Sequence, residues 1–196
     1  DLVRSGKVRY IACSNYEAWR LMESLWVSDS RGWARFECYQ PQYNLLTRDI
    51  EEELVPLCRY KGLGLVSWSP LANGILTGKD RAIQGTRSAD KWVFNPQFFA
   101  LNADEILDVV LEIANELSCS PAEVATRWIL DQTAVTSVIV GARNIEQLRN
   151  NLGSCQIQLT PEQIELLESV SRLPMRYPKS MEFNMRERRD RAVEMP

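Results

Sequence analysis

Histidine does not occur among the 196 residues. Its absence excludes a Ser-His-Asp triad, the usual zinc sites and the commonest general acid/base. Cysteine is sparse and scattered: Cys13, Cys38, Cys58, Cys119 and Cys155 are five in number, an odd count, and none sits in a Cys-x-x-Cys pair. That pattern argues against zinc and for reduced thiols in the cytoplasm. Long apolar runs are missing as well. Nothing approaches the roughly 20 residues a bilayer-spanning helix needs, so no membrane partner is expected. Nor is there an excess of positive charge. The formal net charge is −3, which gives no footing for a nucleic-acid partner. The basic residues that do cluster, Arg186 to Arg191, are interleaved with acids and read as a solvated tail.

What remains is ordinary globular material, 45% hydrophobic and 25% charged, long enough for one domain with a real core. Asp1 to Lys7 resembles the last turn of a helix closed by Gly6 at C′. A natural chain rarely begins inside a helix, so an N-terminal portion is expected to precede Asp1. A regular alternation follows. Strands are predicted at Val8–Cys13, Phe36–Gln40, Gly64–Trp68 and Thr136–Val140, the last opening the buried apolar run Val138-Ile139-Val140. Helices are predicted at Tyr16–Ser28, with Ala18, Leu21, Met22 and Leu25 inward, and at Ile50–Tyr60, with Leu54, Leu57 and Cys58 inward. A further helix carries the apolar stripe Ile106, Leu107, Val109, Val110, Ile113, Ala114 and Leu117. Ser120-Pro121-Ala122-Glu123 and Thr160-Pro161-Glu162-Gln163 are capping boxes with proline at the first helical position. Asn144 to Leu152 is the helix after the last strand. Repeated strand–helix units imply a parallel sheet. Four of them make half of a (β/α)₈ barrel, which takes ~250 residues when whole. The half-barrel is expected over residues 1–173, with a tail over 174–196.

Two nucleotide motifs fail on inspection. Gly62-Leu63-Gly64 precedes a strand instead of following one. Gly74-Ile75-Leu76-Thr77-Gly78-Lys79-Asp80 imitates a P-loop, but its glycine spacing is one residue short. Asp80 also stands where a magnesium-binding hydroxyl is required. In barrels, function gathers at the C-terminal ends of the strands. Those ends here read Ser14-Asn15, then Gln40, then Trp68-Ser69-Pro70-Leu71, then Gly141-Ala142-Arg143. None holds a carboxylate dyad, and the set suits a large, planar, polar ligand. Structural roles compete: Ser14 as a helix N-cap, Gln40 as a partner for backbone groups, Trp68 as core. Gln147 competes likewise as the N3 residue of a capping box begun by Asn144. Arg143 stands near the positive end of a helix dipole, which favours an anion at that point.

Taken together these stretches resemble the C-terminal half of an aldo-keto reductase. The similarity is carried by GKVRYIACSNY, by QPQYNLLTRDIEEELVPLCRYKGLGLVSWSPLANGILTGK and by SPAEVATRWILDQTAVTSVIVGARNIEQLRNNL. The SPLANGILTGK segment is most similar to bacterial-type members and to potassium-channel β-subunits. The resemblance implies an α/β fold, the second half (strands five to eight) of a (β/α)₈ TIM barrel. It also implies NADP(H) as cofactor and reduction of an aldehyde or ketone, with a small carbonyl substrate and the missing N-terminal half of the barrel as partners. On it, Ser14, Asn15 and Gln40 hold the nicotinamide carboxamide and Trp68 stacks on the nicotinamide. Ser69, Pro70, Leu71, Ala72 and Gly74 wrap the pyrophosphate, joined by Lys79 and Arg87. Gly141 and Arg143 meet the 2′-phosphate; Gln147, Asn150 and Asn151 meet the adenosine.

The family's catalytic Asp, Tyr, Lys and His lie on strands that the resemblance places outside this chain, and the lack of histidine agrees with that. Tyr10, Tyr43, Lys61 and Lys79 belong to other motifs, so no catalytic residue is expected here. A resemblance to channel β-subunits leaves a second reading open, a nucleotide-binding redox sensor without turnover. An inactive fragment is the third. In the tail, Tyr177, Met181 and Phe183 are candidates either for a pocket wall or for surface packing.

Overall fold

At two of the handovers from helix to strand the chain turns through a glycine. Gly32 and Gly62 stand at φ 62° and 67°, a left-handed geometry that costs glycine nothing. The next residue then reaches back, Trp33 N–H to the Ser28 carbonyl at 2.9 Å and Leu63 N–H to the Cys58 carbonyl at 2.9 Å, closing each helix in a Schellman motif. Gly6 ends the opening turn in the same way, with Lys7 N–H donating to the Leu2 carbonyl at 3.1 Å.

The computed structural model describes residues 1–78 and 102–181, with 183 and 185. Its elements run β1 (Ile11–Ser14), α1 (Ala18–Arg31), β2 (Phe36–Gln40), a 3₁₀ turn (Asp49–Glu51), α2 (Leu54–Lys61), β3 (Gly64–Ser67) and a second 3₁₀ turn (Ala72–Thr77). Then follow α3 (Ala103–Glu116), α4 (Pro121–Leu130), β4 (Val135–Val138), α5 (Ile145–Gly153) and α6 (Pro161–Ser171). The strands form one sheet in the order β1-β2-β3-β4, every neighbouring pair parallel, with Cys13 opposite Tyr39, Tyr39 opposite Leu65 and Ser67 opposite Val138. The arrangement is α/β with four parallel strands, consistent with part of a (β/α)₈ barrel.

The sheet is covered on one side. Cys13, Tyr39, Leu65 and Ser67 face the helices and are buried. Ala12, Ser14 and Ser137, on the other face, are exposed. Two clusters fill the helix side. Leu21 and Leu25 of α1 pack with Cys13, Tyr39, Cys58 and Leu63. The larger cluster gathers Ile106, Val110 and Ile113 of α3, Val124, Trp128 and Ile129 of α4, and Leu167 of α6 around Leu65 and Leu76. The α3 stripe is thus a core face, as its spacing predicts.

Several boundaries differ from expectation for identifiable reasons. The first strand starts at Ile11 instead of Val8. The helix expected over Ile50–Tyr60 is divided, because Pro56 cannot donate to Glu52 and clashes with its carbonyl, so regular α-helix starts only at Leu54. Met22 is exposed, not inward. The run Val138-Ile139-Val140 is not buried either: β4 ends at Val138 and Ile139 is 41% exposed, since the strand lies at an open edge with one face uncovered.

The capping boxes predicted at Ser120 and Thr160 are formed. Ser120 Oγ accepts from Glu123 N–H at 3.3 Å while the Glu123 carboxylate accepts from Ser120 N–H at 2.7 Å; Thr160 and Gln163 repeat the exchange. Ser120→Ala should lower stability by about 1 kcal/mol, read as a shift in the urea midpoint at unchanged slope.

Candidate functional site

The four parallel strands end on one side of the sheet, and side chains tie the ends of the first three to one another. Ser14 Oγ donates to the Gln40 carbonyl at 2.7 Å, across the β1–β2 pair. The N-cap role open to Ser14 is therefore not the one it takes; α1 is preceded by Glu17, which makes no side-chain cap. Asn15 leaves β1 at φ 57° and its Oδ1 accepts from the Trp68 indole Nε1–H at 3.1 Å. This bond fixes the plane of a half-buried ring at the end of β3. Trp68 is held along its backbone too: its N–H donates to the Pro41 carbonyl at 2.9 Å and its carbonyl accepts from Tyr43 N–H at 3.3 Å. Gln40 is half-buried beside Ser14.

After Trp68 the backbone is strained. Ser69, Ala72 and Asn73 take φ values of 58°, 46° and 58°, and Gly74 follows at 105°. Left-handed non-glycine residues cost of order 1–3 kcal/mol each and collect where a loop is shaped for a ligand. The Ser69 hydroxyl is buried without a hydrogen-bond partner, a further cost of about 1–3 kcal/mol unless something reaches it. Pro70 and Ala72 are buried, Leu71 and Gly74 half-buried. Lys79 and Arg87 lie outside the described residues.

The second group surrounds the start of α5. Asn144 caps the helix, its Oδ1 accepting from Gln147 N–H at 2.8 Å. The reciprocal arm differs from a capping box: Gln147 Oε1 accepts from Arg143 N–H at 2.9 Å, one residue earlier than the Asn144 amide. Asn151, 6% exposed, donates its Nδ2–H to the Gly141 carbonyl at 3.2 Å. Gln147 and Asn151 thus hold the Gly141–Arg143 loop onto the helix, Asn150 is half-buried, and the Arg143 side chain is exposed. The two groups leave neighbouring strands: Ile139 N–H donates to the Ser67 carbonyl at 2.8 Å, one residue before Trp68.

Two cavities lie elsewhere. One of about 330 Å³ is lined by Tyr10, Ile11, Trp33 and Arg35 near the starts of β1 and β2, and one of about 220 Å³ by Tyr43, Glu51, Arg59 and Gln132. The strand-end site is instead an open ledge, with Ser14, Asn15 and Gly141 to Asn144 exposed. Its described residues offer amides, a hydroxyl, an aromatic plane and a guanidinium, and among them there is no acid/base pair. Among the described residues no group of His, Cys, Asp and Glu is placed to hold a metal. Burial pushes the Cys13 and Cys58 thiols up to about 11, far from a nucleophilic thiolate. Tyr43 is turned into the core, donating to Glu51 Oε1 at 2.7 Å, with burial raising its phenol above the ordinary range. The tail residues Tyr177, Met181 and Phe183 are exposed.

One residue at the site was not among the sequence candidates. Asn44 is fully buried and binds the carbonyl of Ser69 through its side chain at 2.9 Å. Its local signal was an Asn-turn onto the amide two residues on, here Leu46 N–H to Asn44 Oδ1 at 2.9 Å.

An oxidoreductase of Bacillus subtilis, YrpG, described as uncharacterized, is 35% identical over 175 residues, covering 86% of this chain and 50% of its own length. The versiconal hemiacetal acetate reductase of Aspergillus parasiticus is 32% identical over 171 residues, again covering 86% of this chain and 50% of its own. The chain spans about half the length of these curated relatives. Residues 1–172, from the opening turn to the end of α6, match the aldo/keto reductase family model, and with its parallel sheet and amide-lined strand ends the chain belongs to the aldo/keto reductase family of oxidoreductases.

Proposed function

We propose that this chain is the cofactor-binding half of an NADPH-dependent carbonyl reductase, with β1 to β4 serving as strands five to eight of the barrel. The observation that carries the reading is the joining of Ser14 to Gln40 and of Asn15 to Trp68 at one end of the sheet, beside the α5 N-terminus with Arg143. Bound there, the cofactor would supply a hydride to the carbonyl carbon of an aldehyde or ketone.

This chain's own residues bind and orient. With its Oδ1 on the indole, Asn15 keeps its amide N–H groups for the nicotinamide carboxamide, alongside Ser14 and Gln40. Trp68, its plane fixed, covers one face of the nicotinamide, so that reaction occurs at the other. The partnerless Ser69 hydroxyl and the strained turn from Pro70 and Leu71 through Ala72 to Gly74 fit a pyrophosphate, with Lys79 and Arg87 adding charge. Gly141 and Arg143 take the 2′-phosphate. Gln147, Asn150 and Asn151 take the adenosine with the amide atoms not spent on the Arg143 and Gly141 backbone.

The proton donor belongs to four further βα units. Both open ends of the sheet are suited to receive them: α1 exposes Trp19, Met22 and Trp26, and α5 exposes Ile145, Leu148 and Leu152. The same i, i+3, i+7 spacing appears on each, as for helices awaiting a neighbour. Five free cysteines accord with a reducing cytoplasm, and no described helix is long and apolar enough to cross a membrane.

The test is oxidation of NADPH by the complete protein with simple aldehydes, followed by absorbance. Steady turnover is expected. Tight binding with negligible turnover would favour the redox-sensing alternative, and absence of binding would overturn the cofactor assignment.

A further inference from the structure

Asn44 is 0% exposed, belongs to none of the proposed cofactor contacts, and is bonded at both ends of its side chain. Oδ1 accepts from Leu46 N–H at 2.9 Å, and Nδ2 donates to the Ser69 carbonyl at 2.9 Å across 25 residues of sequence. Its backbone is committed locally, N–H to the Thr47 carbonyl at 3.3 Å and carbonyl from Thr47 N–H at 3.0 Å. The segment after β2 therefore grips the end of β3 by three successive bonds. Pro41 accepts from Trp68 N–H and Tyr43 donates to the Trp68 carbonyl; the Asn44 amide then takes the Ser69 carbonyl. The first two continue the parallel ladder, and the third is a side-chain bond to the carbonyl that follows. It acts where the chain swings into left-handed geometry at Ser69, φ 58°. A carbonyl there without a donor would free the Ser69–Pro70 peptide to turn, loosening the corner where the strained loop leaves Trp68.

We propose that Asn44 is the positioning residue of the cofactor platform, holding the Trp68–Ser69 corner in the orientation that binds the nicotinamide and pyrophosphate. This rests on the cofactor reading given above. Asn44→Ala removes both bonds. Asn44→Asp keeps the acceptor for Leu46 and, when ionised, turns an acceptor onto the Ser69 carbonyl. Once protonated, the aspartic acid regains a donor and matches asparagine in shape. Burial disfavours the charged form and raises this carboxyl's pKa, so the donor returns within an accessible acid range.

The measurement is NADP⁺ affinity of the complete protein by calorimetry, each variant compared with wild type at the same pH, with melting curves to confirm folding. At about pH 8, Asn44→Asp should bind about tenfold or more weakly. Its deficit should shrink toward wild type as pH falls to about 5.5, while that of Asn44→Ala stays level. Wild-type affinity in both variants, or a deficit in Asn44→Asp that does not respond to pH, would overturn the proposal. Failure of the wild type itself to bind NADP⁺ would defeat the cofactor reading, and this inference with it.

Discussion

Replacing Arg143 by alanine in the complete protein should weaken NADPH binding about 10- to 150-fold, equivalent to a charge-assisted bond of roughly 1.5–3 kcal/mol, and leave NADH almost unchanged. The reason is local. Arg143 immediately precedes the Asn144 cap of a nine-residue helix, so its charge adds to the positive end of the α5 dipole. Its backbone is fixed by Gln147 Oε1 and the loop before it by Asn151. The exposed guanidinium and the helix N-terminus therefore favour one anion together. NADPH differs from NADH by one 2′-phosphate, so the loss should fall on NADPH alone. Because the arginine is exposed, raising ionic strength should narrow the gap between wild type and variant. Arg143→Lys should fall between them, retaining charge without the planar fork. Binding titrations that show equal losses for the two cofactors would remove the 2′-phosphate from the assignment.

How much of this was readable in advance depends on the range over which each signal acts. Ser120 and Thr160 announce their helices because a capping box closes within four residues, and both are present. The stripe from Ile106 to Leu117 follows from the helical repeat: Ile106, Leu107, Val110, Ile113 and Ala114 are buried, and Val109 and Leu117 are half-buried. The strand Phe36–Gln40 has its predicted limits. The exposure of Ile139 was not readable, because an apolar run cannot say which face of its strand is covered. Neither was the true partner of Ser14, a carbonyl 26 residues away, nor that of Asn44, at 25 residues. Pairings of that kind are set by the register of neighbouring strands. Sequence motifs pointed to the strand ends as the candidate site, whereas the bonds that join those residues are products of topology. Gln147 shows the boundary within a single residue: its Asn144 partner was legible, yet its side chain reaches one amide further than a capping box does.

The largest expected loss of stability lies behind the site, at Arg48. This guanidinium is 5% exposed and bonds Glu51 through Nε at 2.7 Å and Nη2 at 3.0 Å. It also pairs with the Glu168 carboxylate, donates to Ser171 Oγ at 2.7 Å and lies 5.0 Å from the Trp128 ring centroid. Glu168 accepts from Trp128 Nε1–H at 3.0 Å and Gln132 Nε2–H at 3.1 Å. One cation thus joins the segment after β2 to α4 and α6, and it holds two carboxylates, both bonded to its Nη2. Those carboxylates raise its pKa against the effect of burial. Arg48→Met retains much of the volume but leaves Glu51 and Glu168 without their counter-charge, and should cost about 3–5 kcal/mol, a large part of the stability of a typical domain. Urea unfolding at neutral pH measures it. If charge is the cause, adding Glu51→Gln and Glu168→Gln should recover most of it. If lost packing were the cause, that addition would not help. The same cation also supports the platform: Tyr43, which donates its backbone N–H to Trp68, gives its hydroxyl to Glu51. Cofactor affinity should therefore fall with Arg48→Met and return in the triple variant.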